Sequence, residues 1–194
     1  MLHAKLLECY VRKLRVFNFI TLDGYFEGPN HDISWHRHGV EENEFAAQML
    51  GLGSLRWFGR VTFELMASHW QTPLAFEQTP LIAQAMNASE KIVFSRTLQN
   101  AQWSNTRLLK GDIGQEMRKM KLLPGKDMTL LGSGSIVSQF ADQGLIDEYQ
   151  IMIDRVPLGD GSPSCKGIRN RQRLQLTMTR SFRSGSVLLC YQAC

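Results

Sequence analysis

The sequence predicts an α/β domain in which a central, mostly parallel sheet is flanked by helices and closed by a C-terminal antiparallel hairpin. Three observations carry this reading. Short apolar runs such as KIVFS (91–95) and KDMTLLG (126–132) alternate with stretches of helical period such as EENEFAAQMLG (41–51) and DIGQEMRKMKLL (112–123). The stretch RLQLTMTRSFRSGSVLLCYQ reads as two strands joined around Ser184-Gly185. No repeat, low-complexity tract or linker divides the 194 residues, enough for one domain with a real core.

Each element follows from its own residues. Residues 1–12 precede the first clear element and read as an extension, with the domain itself spanning 13–194. KLRVFNFITLDG (13–24) alternates apolar and polar residues and stops at Asp23-Gly24, a strand ending in a turn. The Gly-, Pro-, Asn- and His-rich YFEGPNHDISWHRHG is a loop. The helix at 41–51 carries acids in its first turn and places Phe45, Met49 and Leu50 on one side. SLRWFGR is a short strand running into VTFELMASHW, and a further helix fits AFEQTPLIAQAMN. After KIVFS, TRLL is a strand and Asp112 opens the next helix. KDMTLLG feeds a glycine–serine turn and a helix running to about Asp142, and IDEYQIMIDRVPLG is a strand.

A hydrophobic fraction of 43% against 21% charged residues excludes a disordered chain, and no apolar run approaches a membrane span. The N-terminal stretch lacks the core and cleavage site of a signal peptide, so a cytoplasmic protein is expected. The four cysteines (Cys9, Cys165, Cys190, Cys194) form no CxxC pair and read as reduced thiols. Net charge is +4, but the segment from Arg155 onward carries seven basic residues and one acid. That segment lacks both interleaved aromatics and a helix-turn-helix pattern, which argues against a nucleic-acid partner and for a solvated strand face or a phosphate-facing rim.

The turn in TLLGSGSIVSQF leaves backbone N–H groups free at a helix N-terminus, which suits an anion such as phosphate. A simple serine-capped turn accounts for the same residues equally well. The dinucleotide fingerprint fails, because Val137 occupies its third glycine position, and no Gly-Lys-Ser/Thr of a P-loop is present. Two further strand ends, FGRVTFE (58–64) and VFSRTL (93–98), each place an arginine beyond a short apolar strand. In an open α/β sheet, Arg60, Arg96 and the Gly132–Ser135 turn then converge on one rim, two guanidiniums and a backbone nest facing several phosphates.

FNFITLDGYFEGP, WFGRVTFELMASHW, MNASEKIVFSRTL, LLGSGSIVSQFADQGLIDEYQIMI and the closing hairpin occur in that order. Together they resemble the dihydrofolate-reductase-like family that includes the reductase domain of riboflavin biosynthesis, over nearly all of residues 13–192. The resemblance implies a three-layer fold, NADPH as cofactor and a homodimer. It further implies that Gly59, Arg60 and Thr62 meet the cofactor phosphates, that Ser95 and Arg96 lie beside the adenosine 2′-phosphate, and that Gly132, Ser133, Gly134 and Ser135 meet the diphosphate and nicotinamide side. Residues 21–28 correspond to the loop over the nicotinamide, which makes Thr21 a candidate substrate contact. No His-x-Glu with Pro-Cys-x-x-Cys occurs in this sequence, so the zinc deaminase half of the bifunctional enzymes is not expected in it. DRVPLGDGSPSCKGIRNRQ also departs from the more apolar stretch usual after VPLGDG, which leaves strand pairing there open.

Hydride chemistry on a heterocycle wants a carboxylate near the ring edge, and Asp23 and Glu44 are the candidates. Asp23-Gly24 is equally an ordinary turn, and Glu44 sits where a first helical turn accepts acids. Trp35 is a candidate stacking surface for the substrate or an anchor for its loop. His31, His36 and His38 have no acidic partner in their run, and no metal is expected. The reading is an NADPH-dependent reductase of a small pyrimidine- or pterin-like heterocycle, akin to 5-amino-6-(5-phosphoribosylamino)uracil reductase in riboflavin biosynthesis. The alternative is an NADPH-binding module without turnover.

Overall fold

A computed structural model describes residues 11–194 apart from His38 and Leu52. Cys9 and most of the expected extension at 1–12 lie outside the described residues. Eight strands form one sheet: β1 (Leu14–Ile20), β3 (Leu55–Gly59), β4 (Lys91–Phe94), β5 (Thr106–Leu109), β6 (Met128–Leu131), β7 (Glu148–Ile153), β9 (Leu174–Ser181) and β10 (Val187–Ala193), in the order β5-β4-β3-β6-β1-β7-β10-β9. The first six in that order are parallel, and the β9–β10 hairpin adds the antiparallel edge, as the sequence predicts. Pairing of Val16 with Leu130 and Tyr149, and of Leu130 with Trp57, aligns the strands in one row.

Central strands are buried on both faces, and β3 reads Leu-Arg-Trp-Phe with all four residues buried. On one face, Leu14, Val16, Trp57 and Leu130 pack under α5 (Ile113–Leu122) and α6 (Gly134–Asp142). On the other, Phe58, Val93 and Trp103 meet Phe63 of α2 (Arg60–Trp70) and Ile82 and Met86 of α4 (Pro80–Ala88). Phe45 of α1 (Val40–Gly51) covers Met152 and Leu188 farther along that face. Three layers result, and strand alternation explains them: each residue facing α5 and α6 is followed by one facing α1, α2 and α4.

Two details differ from expectation. The single helix expected over 75–87 is two, α3 (Pro73–Gln78) and α4, because Pro80 has no N–H to continue a helix and starts a new one. The loop after β1 contains a short strand β2 (Tyr25–Glu27), which pairs antiparallel with β8 (Ser162–Pro163) in the departing segment. These pieces are too short to show periodicity. Among the described residues no helix is long and apolar enough to cross a membrane.

At the amino end of the sheet two buried cations close helix C-termini. Arg56 donates to the carbonyls of Ser54 and Leu50 at 3.2 and 3.1 Å. Its sheet neighbour Lys91 donates to Met86, Asn87 and Ser89 carbonyls at 2.9, 3.2 and 2.6 Å and lies 4.7 Å from the Trp103 ring centroid. Burial first, and the charge of Arg56 second, push the Lys91 pKa down to about 8. Between pH 8 and 10.5 the unfolded chain therefore holds a proton that the folded chain has released, and this residue makes stability rise with pH across that window. The three carbonyls favour the charged form, so about 3 kcal/mol is the ceiling. Lys91→Met is expected to remove that rise. Urea midpoints of both proteins across the window check it, and a pH-independent difference would contradict it.

Candidate functional site

The carboxyl ends of β1, β3, β4, β6 and β7 open on one rim, and the residues singled out in the sequence gather there along two elements. After β6, Gly132 (φ +59°) and Ser133 (φ +62°) both take left-handed conformations and turn the chain into α6. A Cβ at Gly132 would lie 2.8 Å from the Thr62 methyl carbon, so only glycine admits this approach to α2. Ser133, buried, joins the two helix starts: its N–H donates to Thr62 Oγ1 at 3.1 Å and its Oγ accepts from Gly59 N–H at 2.7 Å. A Ser133→Ala variant leaves the Gly59 N–H without that acceptor and is expected to cost about 1 kcal/mol. A lowered urea midpoint checks this, and an unchanged one contradicts it.

The N-termini of α2 and α6 therefore lie side by side, and neither receives a side-chain cap. In α6 the Ile136 N–H turns back to Ser133 O at 2.8 Å, which leaves Gly134 and Ser135 as the leading N–H groups, and the two helix dipoles add positive potential at one place. Arg60 begins α2, half-exposed, and pairs with Glu64 at 2.8 Å, an exposed contact of small worth. Ser135 is exposed in the first turn of α6, and Phe26 packs against Gly134, where a Cβ would lie 2.9 Å from its ring.

Past β4, Ser95 is buried and accepts from the N–H groups of Thr97 and Leu98 at 3.2 and 2.9 Å. Its hydroxyl shapes the turn that presents Arg96. Arg96 is exposed and lines a cleft of about 480 Å³ with Gly111, Asp112, Ile113, Gln139 and Gln143, and makes no ion pair among the described residues. Asp112 itself caps α5 through Gln115 N–H at 2.9 Å. The cofactor candidates thus fall into two groups, a helix-terminus junction and an arginine-lined cleft.

The carboxylate candidates fare differently. Asp23 accepts from the Thr21 hydroxyl at 2.5 Å, from Gly159 N–H at 2.7 Å and from Leu158 N–H at 3.0 Å. The Thr21 hydroxyl foremost, then the Gly159 N–H, hold its pKa below the ordinary carboxylate range. Held in this way, the Asp23 carboxylate ties the end of β1 to the 158–159 turn. Thr21, buried, also accepts from Tyr25 N–H at 2.9 Å, so it too is tied into the turn. Glu44 is exposed on the outer side of α1.

The acid that α1 sends inward is Glu42, buried three residues before Phe45 on the same face. The sequence contained that signal, since the face was already marked by Phe45 and Met49. Ser184 in the β9–β10 turn donates to Glu42 Oε1, and Ser186 donates to Asp154 Oδ1 at 2.8 Å. Asp154 follows β7, is 3% exposed, and shares the α1-facing side of the sheet with Phe19 and Met152. Desolvation, only partly offset by the Ser186 hydroxyl and reinforced by Glu42, raises its pKa.

Beside these acids runs a file of rings. Trp35 stacks on His36 at 5.6 Å between centroids, His36 lies 4.0 Å from Phe19, Phe19 meets Phe17 at 4.9 Å, and Phe17 meets Phe45 at 6.4 Å. Trp35 is thereby seated at the outer end of an aromatic wall, its Nε1–H donating to Asp32 O at 3.2 Å. Contrary to the expectation that these histidines lack an acidic partner, His31 pairs with Glu27 at 2.9 Å, four residues back in the same loop; His38 lies outside the described residues. Among the described residues no cluster of metal-ligating side chains occurs.

A family model described as the RibD C-terminal domain matches residues 12–189. The uncharacterized protein YyaP of Bacillus subtilis (strain 168) is 30% identical over 172 residues, covering 89% of this chain and 90% of its own. Among solved structures, a putative riboflavin biosynthesis protein from Shewanella sp. PV-4 superposes with a TM-score of 0.74 at 17% identity, covering 94% of this chain and 99% of that one. The deaminase/5-amino-6-(5-phosphoribosylamino)uracil reductase of Thermotoga maritima gives 0.68 at 14% identity, with 95% of this chain matched to 57% of the longer protein. Dihydrofolate reductase from Enterococcus faecalis, solved with NADP(H), gives 0.63 at 12% identity over 95% of this chain and 98% of its own. At such identities the three structures establish the shared fold.

Proposed function

The chain belongs to the RibD C-terminal domain family, and from that premise we propose that it is an NADPH-dependent reductase acting on a small, flat pyrimidine- or pterin-like heterocycle. The observation that carries the reading is the junction of two uncapped helix N-termini, bonded to each other through Ser133 and Thr62. A dinucleotide diphosphate fits the donors displayed there, and the exposed guanidinium of Arg96 in its own cleft fits a second, separate phosphate. The structural likeness to the Thermotoga uracil-type reductase and to the Enterococcus dihydrofolate reductase solved with NADP(H) supports the same reading.

The bound cofactor supplies a hydride from its dihydronicotinamide ring. Gly59 at the end of β3 and Arg60 and Thr62 of α2, with Gly132, Ser133, Gly134 and Ser135 of the facing turn, bind the phosphates, while Ser95 holds the turn that aims Arg96. Asp23 fixes the loop over the site through the 158–159 backbone. Phe19, His36 and Trp35 offer the flat surface on which a heterocycle lies. The reading includes a cytoplasmic homodimer with small-molecule substrates, and light scattering on the purified protein tests the dimer.

The test of function is NADPH oxidation by the purified protein with pyrimidine, pterin and flavin acceptors supplied in turn. Turnover with a pyrimidine or pterin supports the reductase. Tight NADPH binding with no turnover on any acceptor would favour the binding module instead.

A further inference from the structure

The two edges of the sheet are built in opposite ways. All eight residues of β9 are exposed, so neither of its faces is covered, and its outer edge pairs with no strand among the described residues. Leu174, Leu176 and Met178 are among them, at 39%, 50% and 43% exposure. Between Leu174 and Thr179 the strand contains neither a proline nor a charge. At the other edge, β5 has four residues, includes Arg107, and sends Leu108 and Leu109 against the two cores. Short, charged and covered edges resist pairing with another chain, whereas a long, apolar and open edge favours it.

Pairing with β10 fixes which residues of β9 share a face. Leu174 stands opposite Ala193, Leu176 opposite Tyr191, Thr179 opposite Leu189 and Ser181 opposite Val187. Tyr191 packs against the core under α5 and α6, so these four β9 residues lie on that side of the sheet. Met178 stands opposite Cys190 and Arg180 opposite Leu188, which places both on the α1 side together with Gln175. A register shift between Cys190 and Tyr191 produces the switch, since Leu176 and Met178 would otherwise share a face.

We propose that β9 is the seam of the homodimer, where a second copy lays its own β9 antiparallel along this edge about a two-fold axis at the shift. That register sets Leu174 opposite the partner's Ser181, Gln175 opposite the partner's Arg180, and Leu176 opposite the partner's Thr179. Each pair is drawn from one face, so each face of one copy continues into the same face of the other, and no arginine meets an arginine. A register displaced by one residue sets opposite faces against each other. One displaced by two either sets Arg173 against the partner's Arg180 or leaves Leu174 beyond the end of the partner strand. The strand is thus its own complement in one register, and the same patch serves both copies. Eight paired residues fall short of the roughly 20–30 a side of a standard interface, so the dimer dissociates on dilution. The seam locates the dimer included in the reductase reading above and does not depend on its chemistry.

Sedimentation of the purified protein over a range of concentrations tests the seam. The wild-type mass should rise toward that of two chains as concentration increases. Leu176→Lys/Thr179→Lys sets like charges opposite each other twice across the seam, and it should stay at the mass of one chain with an unchanged circular dichroism spectrum. Leu176→Lys/Thr179→Glu sets unlike charges there and should restore the dimer, and it keeps the test open should the first variant fail to fold. A wild type at the mass of one chain at every concentration would overturn the seam and the dimer together. A double-lysine variant that dimerises as wild type does would overturn the seam alone and leave β9 open to another partner. A lysine–glutamate variant that stays monomeric would overturn the register. NADPH binding followed by fluorescence separates this from the reductase reading, because neither residue lies on α2 or α6. Both variants should bind as wild type does, and a dimeric wild type that binds no NADPH would overturn the reductase while supporting the seam.

Discussion

Arg96→Ala is expected to lower NADPH affinity by on the order of 10- to 100-fold while leaving NADH affinity within about twofold. The two cofactors differ only in the 2′-phosphate, so a residue that meets that phosphate must discriminate between them. Arg96 is suited to this by position and by freedom. It is exposed, makes no ion pair among the described residues, and is presented to the cleft by a turn that the buried Ser95 hydroxyl ties down. No carboxylate has to be displaced from it, in contrast to Arg60, which already faces Glu64 at 2.8 Å. Fluorescence titration of wild type and variant with each cofactor checks the prediction. Equal weakening of both would remove Arg96 from the 2′-phosphate.

Gly132→Val should have the larger structural effect, a loss of about 3 kcal/mol or more in unfolding free energy. Two penalties coincide at this position. A β-branched residue is strained at φ +59°, and its Cβ would lie 2.8 Å from the Thr62 methyl carbon. The side chain it strikes is the one that receives Ser133 N–H, so relief by moving Thr62 would part the two helix starts. The variant should therefore show a lowered urea midpoint and lose NADPH binding even under conditions where it remains folded. A variant that kept both would mean that the junction of α2 and α6 is neither tight nor the phosphate site.

The fold was legible because its long elements declare their period. β1, β3, β4, β6 and β7 stand where apolar runs end at Gly, Asp or Ser, and the three-layer arrangement follows from strand–helix alternation. What the sequence concealed was short or relational. β2 and β8 contribute three and two residues and exist through each other's hydrogen bonds. The Thr79-Pro80 break was readable from the proline and hidden by the helical period running across it.

The rim was legible for a similar reason. Glycines, serines and arginines just past strand ends are a local signal, and the sheet carries them to one edge. The acids were not, because an acid's role depends on what lies opposite it. Asp23 looks poised in sequence, and only the Leu158 and Gly159 N–H groups, far along the chain, show it saturated. Glu44 and Glu42 are two residues apart, and helix phase sends the first to solvent and the second to Ser184. Asp154 stood unremarked inside a strand-like run until the β9–β10 turn placed Ser186 against it.

The central claim is that the paired helix N-termini and the Arg96 cleft together hold NADPH. Titration of the wild-type protein with NADPH and NADH, followed by cofactor fluorescence, tests it most directly. The account predicts tight binding of NADPH and binding of NADH weaker by at least about tenfold, the worth of one phosphate–arginine contact. Failure to bind either cofactor, or equal affinity for both, would contradict it.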